Sequence, residues 1–287
     1  MMKIKEKIGV IGAGFVGSSV KFGFSPQTNC DAEVLVNDKK EELSTHSLIE
    51  IIEKCSIIFI SVPTPSNPDG SVNTDIINNL FEDILEIEGH EKPIFLLRST
   101  VVPGTCLSFA EKFPALKLVF NPEFLTERSA KLDFINQSRY ILGSNHDEYI
   151  EPVANLYKQR FGSTISIIRT NFETAELIKY MNNCFFATKV SFLNEMYMIA
   201  EKSGADWDMA VEGFVRDGRI GHSHLAVPGP DGKFGFGGSC FPKDMRAIIA
   251  YAKSNGIDLN TLSGAWETNL EVRPDKDWEE LKGRSVV

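Results

Sequence analysis

The stretch Ile8-Gly9-Val10-Ile11-Gly12-Ala13-Gly14-Phe15-Val16-Gly17 decides the reading of the first half of the chain. Its short apolar run fits a buried parallel strand, and the GxGxxG that follows fits a tight turn opening into a helix. Three spaced glycines alone say little. Their context adds weight: a helix continues beyond Gly17, a second strand is expected in the run from Ala32 to Asn37, and Asp38 stands at its end. That acidic residue lies about 20 positions beyond the last glycine, the spacing of a dinucleotide fingerprint. Gly12, Gly14 and Gly17 would let the backbone approach a pyrophosphate at the start of a helix that opens with Phe15 and Val16. Asp38 would accept hydrogen bonds from ribose hydroxyls and repel a 2′-phosphate, so the expected cofactor is NAD rather than NADP. Lys39 and Lys40 could pair with such a phosphate, which weighs against that preference, but lysines in a turn are more often solvated.

Working outward, Ile57 to Val62 reads as a third strand, ended by Pro63, Thr64 and Pro65. PIFLLRS is the fourth, ended by Thr100. LKLVFNPEF is the fifth, ended by Asn121, Pro122 and Glu123, and RYILGS is the sixth. Strands alternating with helices predict an α/β fold, a Rossmann-type doubly wound parallel sheet over residues 1–168. Ligands sit at the carboxyl ends of such strands, which places Pro63, Thr64 and Pro65 near the cofactor, with Thr100 among its expected contacts.

From Asn171 the pattern changes. A run without proline or glycine predicts one helix of more than 30 residues, long enough for a spine between domains or a dimer interface. Residues 169–287 are therefore expected to form an all-α dimerisation and substrate domain. Phe185, Phe186, Phe192 and Met196 would give its spine an apolar face for a second copy. Lys179 and Asn183, four apart, share one side of it. A shorter helix is expected around Met209 to Val215. His222 and His224 lie in a loop with no carboxylate or cysteine cluster, so no metal is expected and both should face solvent.

The stretch Phe234 to Asp244, FGFGGSCFPKD, carries the nucleophile candidate. Gly235, Gly237 and Gly238 allow close approach of backbone to a ligand. Cys240 follows directly, and Pro242 suits the first turn of a helix. The positive end of that helix and nearby Lys243 both favour a thiolate.

The remaining totals set limits. The net charge of −9 argues against nucleic acid or an anionic membrane as partner. No apolar run approaches the roughly 18 residues of a membrane span. Although the N-terminal residues have the basic and apolar parts of a secretory signal, they fit the strand and glycine turn better. Five scattered cysteines without CxxC spacing point to a reducing compartment, hence the cytoplasm.

Taken in order, GxGxxG, SVPTP, STVVPG, NPEFLTE, AELIKYMNN, GRIG and GFGGSCFPKD make the chain resemble the UDP-glucose 6-dehydrogenase family, which also includes GDP-mannose and UDP-N-acetylmannosamine dehydrogenases. The resemblance implies two-step oxidation of a sugar C6 alcohol to a carboxylate with NAD, UDP-glucose to UDP-glucuronate being the expected case. Cys240 would form a thiohemiacetal and then a thioester. Lys179 and Asn183 would stabilise the oxyanion, and Asp244 would pair with Lys179 and an ordered water. Glu127 would be the general base for hydrolysis, with Thr100 helping to hold the water. Glu123, Phe124, Leu125, Phe234 and the loop glycines would line the substrate, Lys243 would serve the cofactor, and Arg219 would reach the site of the partner in a homodimer.

Thr126 occupies a variable position of NPEFLTE. Members also carry a third domain that clamps the nucleotide, whereas this sequence ends at KGRSVV, so much of that grip is expected to be absent. Two other readings compete: a single-step β-hydroxyacid or 6-phosphogluconate-type dehydrogenase, which needs no cysteine, and a non-catalytic binding subunit, which needs none of these groups.

Overall fold

The computed structural model describes residues 2–287. In chain order the elements are β1 (Met2–Lys3), β2 (Ile8–Ile11), α1 (Phe15–Gly23), β3 (Cys30–Asp31), β4 (Val34–Asn37), α2 (Leu48–Lys54), β5 (Ile57–Ile60), α3 (Asp75–Leu85), β6 (Ile94–Leu97), α4 (Thr105–Lys112), β7 (Lys117–Phe120), α5 (Ala130–Ile135), β8 (Arg139–Gly143), α6 (Asp147–Phe161) and β9 (Ser166–Thr170). Four α-helices follow: α7 (Phe172–Ser203), α8 (Trp207–Val215), α9 (Cys240–Ser254) and α10 (Asn260–Val272).

The chain divides into two compact units, the first running to Thr64 and again over Thr74–Lys179, the second comprising Pro65–Asn73 and Tyr180–Val287. The division expected after residue 168 thus falls inside α7. The physical reason is that Phe172 and Ala175, in the first turn of that helix, are buried in the core of the sheet. Residues 65–73 join the second unit because Ser66 pairs with the end of the chain: its N–H donates to the Ser285 carbonyl and its carbonyl accepts from Val287 N–H, both at 3.0 Å.

The first unit is built on a seven-stranded sheet in the order β4-β2-β5-β6-β7-β8-β9. Six of the strands are those expected. β9 is the addition, and the β7–β8 pair is antiparallel where every other pair in this sheet is parallel. β1 and β3 make a separate two-stranded parallel ribbon.

The strands read as unbroken apolar runs because both faces of the sheet are covered. Side chains alternate along each strand, so Val10, Phe59, Leu96 and Val119 enter one core with residues of α1, α5 and α6. Their neighbours Ile11, Ile58, Ile60, Leu97 and Phe120 enter the other with α2, α3 and α4. Order reverses between β2 and β5, which opens the crevice where a doubly wound sheet takes its ligand.

The second unit packs helices against one another. Ser191 of α7 donates to the Ala265 carbonyl of α10 at 2.6 Å, and Thr268 of α10 donates to Glu195 at 2.7 Å. Buried Trp278 closes this core against Trp266, ring centroids 5.4 Å apart. One side of α7 is left uncovered: Leu177, Met181, Phe185, Phe192 and Ile199 are all exposed. Of the face expected from sequence, Phe186 is half-buried under the His224 ring at 4.3 Å, and Met196 is half-buried as well.

Phe59 has no solvent exposure and meets Phe24 and Tyr157 at centroid distances of 6.1 and 6.3 Å. Phe59→Ala is expected to lose about 3–5 kcal/mol of stability, read as a lower urea midpoint with an unchanged slope.

Candidate functional site

At the carboxyl end of β2 the glycine turn is built as the fingerprint requires. Gly12 has φ +88°, and a Cβ there would lie 2.6 Å from the Ser61 carbonyl oxygen. A Cβ on Gly17 would collide with the Gly12 carbonyl, so the helix can pack this close only with glycine. Gly14 differs, for nothing lies within 4 Å of where its Cβ would be. It is the N-cap of α1 and no side chain caps that helix, so the helix start turns its positive end toward the glycine turn. Asp38 is held by two backbone donors, Ala13 N–H to Oδ2 at 2.6 Å and Lys40 N–H to Oδ1 at 2.9 Å. An uncapped helix start and an oriented carboxylate fit the pyrophosphate and ribose of a dinucleotide. The wall beside them is cross-braced: buried Thr64 donates to the Thr100 carbonyl at 2.9 Å, and Ser99 donates to the Val62 carbonyl at 2.6 Å. Pro63 is exposed.

Farther along the strand ends, Lys179 is 2% exposed on the third turn of α7. Its ammonium donates to the Glu123 carbonyl at 2.6 Å and to Glu123 Oε1 at 2.9 Å. Glu123 Oε2 accepts from Leu125 N–H at 2.6 Å, so this buried carboxylate both neutralises the lysine and shapes the NPEFLTE turn. The Lys179 ammonium and the Arg139 guanidinium also lie over the Phe124 ring, 5.5 and 4.4 Å from its centroid. Glu127 and Thr126 are exposed. The partnership of Lys179 with Glu123 was missed from sequence, and no spacing between them signals it.

In the second unit Cys240 is the first residue of α9 and the one cysteine of five that is not buried. Burial pushes the thiols of Cys30, Cys55, Cys106 and Cys184 up, which leaves them inert. Asp244, one turn beyond Cys240 on α9, is 1% exposed. It accepts from Asn183 Nδ2 at 2.6 Å and from Lys243 Nζ at 2.6 Å. The positive charge of Lys243 is therefore paired with Asp244, and its expected help to the Cys240 thiolate is correspondingly reduced. The glycines also part company. Gly238 faces open space, whereas a Cβ on Gly235 would strike Asn269 and one on Gly237 would strike Arg273. At those two positions the close approach is to protein side chains.

Arg219 is 88% exposed by side chain and paired with Asp217. The turn that carries it is gathered by Lys189 of α7, whose ammonium donates to the carbonyls of Ile220, Gly221 and Ser223 at 3.3, 3.1 and 2.8 Å. His222 is exposed. His224 is exposed as well, as expected, while its ring stacks on Phe186 and meets Phe241 at 5.5 Å, and desolvation there lowers its pKa.

Two family profiles match the chain: the NAD binding domain of the UDP-glucose/GDP-mannose dehydrogenase family over residues 31–161, and the central domain of the same family over 173–271. The chain belongs to the UDP-glucose/GDP-mannose dehydrogenase family. A UDP-glucose 6-dehydrogenase of Rickettsia bellii is 36% identical over 252 residues, which cover 83% of this chain and 56% of the relative. The chain thus spans little more than half the length of that curated relative. A UDP-glucose dehydrogenase from the hyperthermophilic archaeon Pyrobaculum islandicum superposes with TM-score 0.80 at 26% identity, over 93% of this chain and 68% of the other. The 3-hydroxyisobutyrate dehydrogenase of Mycobacterium tuberculosis, with TM-score 0.72 at 16% identity over 96% and 95% of the two chains, shares the fold. The profile matched to 31–161 makes NAD the cofactor of the first unit, as the glycine turn and Asp38 had suggested.

Within this family frame, Glu176 is a buried group that the sequence reading passed over. It lies one turn before Lys179 on α7, has no solvent exposure, and accepts from the N–H groups of Gly104 and Cys106, both at 2.7 Å. It thereby caps α4 from another element. Burial raises its pKa from an ordinary 4.5 to about 7, although hydrogen bonds from Cys106 and Gly104 pull the other way. A carboxyl whose folded-state pKa is raised adds stability at low pH and loses it as pH climbs through about 7. The lost contribution is about 3 kcal/mol at most. Glu176→Gln, which cannot ionise, is expected to melt below the parent at pH 5.5, with the gap narrowing by pH 8.5. Thermal unfolding of both proteins across that range checks the sign.

Proposed function

We propose that this chain oxidises the C6 alcohol of a nucleotide sugar to the carboxylate in two steps, with UDP-glucose the substrate favoured by its relatives. Family membership supports the reaction class. The observation that carries the mechanism is the half-exposed Cys240 at the start of α9, with the buried Asp244–Asn183 pair one turn along the same face. A hydroxyacid dehydrogenase has no use for such a thiol, so the fold shared with the Mycobacterium enzyme does not weigh against it.

Gly12, Gly14, Gly17 and Asp38, with Pro63, Thr64, Thr100 and Lys243, would hold NAD, which would supply the hydride acceptor for each oxidation, while the alcohol proton passes to water. Between the two, the Cys240 thiolate adds to the aldehyde carbon and keeps the sugar attached as a thiohemiacetal. The Lys179 ammonium and the Asn183 amide donate to the C6 oxygen where negative charge develops, a role that needs fixed donors and no proton transfer. After the second oxidation C6 is a thioester. Glu127, exposed and able to meet water, takes the proton of the attacking water, with Thr100 helping to hold that water. The C–S bond then breaks, the carboxylate leaves and Cys240 is restored as thiolate. Residues 123–125, Phe234 and Gly238 line the sugar nucleotide.

Product stoichiometry tests this directly. The enzyme should form two NADH per sugar acid, and Asn183→Ala should lower kcat by about 10²–10³. Cys240→Ser should stall after the first oxidation or with an ester on the enzyme. Unimpaired steady turnover by Cys240→Ala would overturn the thioester route.

The same reading makes the enzyme a cytoplasmic homodimer. Five scattered cysteines without CxxC spacing support the compartment. The uncovered Met181, Phe185 and Phe192 on α7 support the interface, and Arg219 would serve the neighbour's site. Phe185→Asp is expected to turn a dimer into an inactive monomer, as read by light scattering. A wild-type chain that is an active monomer would contradict it.

A further inference from the structure

Residues 234–238, which lead into α9, are held by side chains. Asn269 of α10 has no solvent exposure, accepts from Phe236 N–H at 2.7 Å and donates to the Phe236 carbonyl at 3.0 Å. One side-chain amide thus satisfies both backbone groups of one residue, as a neighbouring strand would. Asn194 of α7, 2% exposed, accepts from Gly235 N–H at 3.0 Å. Arg273, just past α10 and 3% exposed, donates to the Phe234 carbonyl at 3.3 Å. Its guanidinium is fixed in turn by Asp277, at 2.8 and 2.9 Å, and by Asp231 at 2.7 Å.

Two further observations turn this into more than packing. Gly235 and Gly237 have no room for a Cβ because Asn269 and the Arg273 guanidinium occupy that space. The start of α9 also lacks a side-chain cap, since Ser239 at the N-cap makes no such bond. A helix start of that kind leaves the entry path of the chain to whatever holds the preceding residues.

We propose that Asn269 and Arg273 are positioning residues for Cys240: by pinning residues 234–237 they fix where the thiol stands at the first turn of α9. Gly235 and Gly237 serve this grip, and Gly238 alone of the three stays open to a ligand. The inference rests on the reading of Cys240 as nucleophile. It adds that the reactivity of the thiol depends on side chains that touch neither substrate nor cofactor.

The test follows Cys240 alkylation by iodoacetamide in the folded protein without substrate, from pH 6 to 9.5, with the modified peptide identified by mass spectrometry. Asn269→Asp keeps the acceptor for Phe236 N–H but sets an oxygen against the Phe236 carbonyl, and Arg273→Lys keeps the charge but loses the fork. Both should change the alkylation rate at least fivefold or displace its pH profile. Both should also lower kcat at least tenfold while leaving NAD affinity within twofold. Variants that melt earlier but alkylate and turn over like the parent would overturn the proposal. Should they fail to fold, Gly237→Ala, which pushes on the Arg273 guanidinium, is expected to move the alkylation profile in the same way, and an unmoved profile overturns it. In the parent, hydrogen exchange at Gly235 and Phe236 N–H should be slow, and exchange at the rate of an open loop would equally count against it. If Cys240→Ser keeps full turnover, the nucleophile reading fails, yet the alkylation of Cys240 still decides whether Asn269 and Arg273 place it.

Discussion

Two buried ionisable side chains on successive turns of one helix tie the first unit together. Glu176 and Lys179 both lie on α7, and each bonds a loop at a different strand end, Glu176 the turn after β6 and Lys179 the turn after β7. Ionisable groups in a low-dielectric interior are tolerated only with well-placed partners, and losing one partner of a buried pair costs several kcal/mol. The helix therefore cannot slide along the sheet without stranding a buried polar group. This constraint sets the register of Lys179 against NPEFLTE, and through the 99–104 turn it steadies Thr100.

The second unit meets a related need by other means. Its thiol-bearing loop has little regular backbone pairing of its own, so Asn269, Asn194 and Arg273 supply the hydrogen bonds that a sheet would otherwise provide. Buried backbone groups must be satisfied, and side-chain amides do so while leaving the chain free to turn. The glycines at 235 and 237 are the corollary, because any side chain there would occupy the space of the groups that hold the loop.

The fold itself does not distinguish this family from single-step dehydrogenases, as the TM-score of 0.72 with a 3-hydroxyisobutyrate dehydrogenase makes plain. On the proposed reading, what separates the two chemistries is local: a cysteine at a helix start, an amide bonded to the carboxylate one turn along, and a lysine ion-paired with its own glutamate. That reading puts function in side chains on a widely shared frame.

Much of this was legible in the chain of residues alone. The strand, glycine turn and helix from Ile8, the carboxylate at Asp38, the 32-residue α7 and the placement of Cys240 at a helix start all follow from neighbouring residues, because backbone geometry and hydrophobic period are local properties. Other features came only with packing. Glu176 meets Gly104 across 72 residues, Lys179 meets Glu123 across 56, and Asn269 meets Phe236 across 33. No local pattern encodes which partner a buried polar group will find, since the choice is made when helices and sheet exclude water around it. For the same reason β9, only partly buried, gave a weak sequence signal. The boundary inside α7 likewise depended on which of its turns the sheet would cover. Tertiary structure also decided that two of the three loop glycines before Cys240 make room for protein, because only the folded chain brings α10 against them.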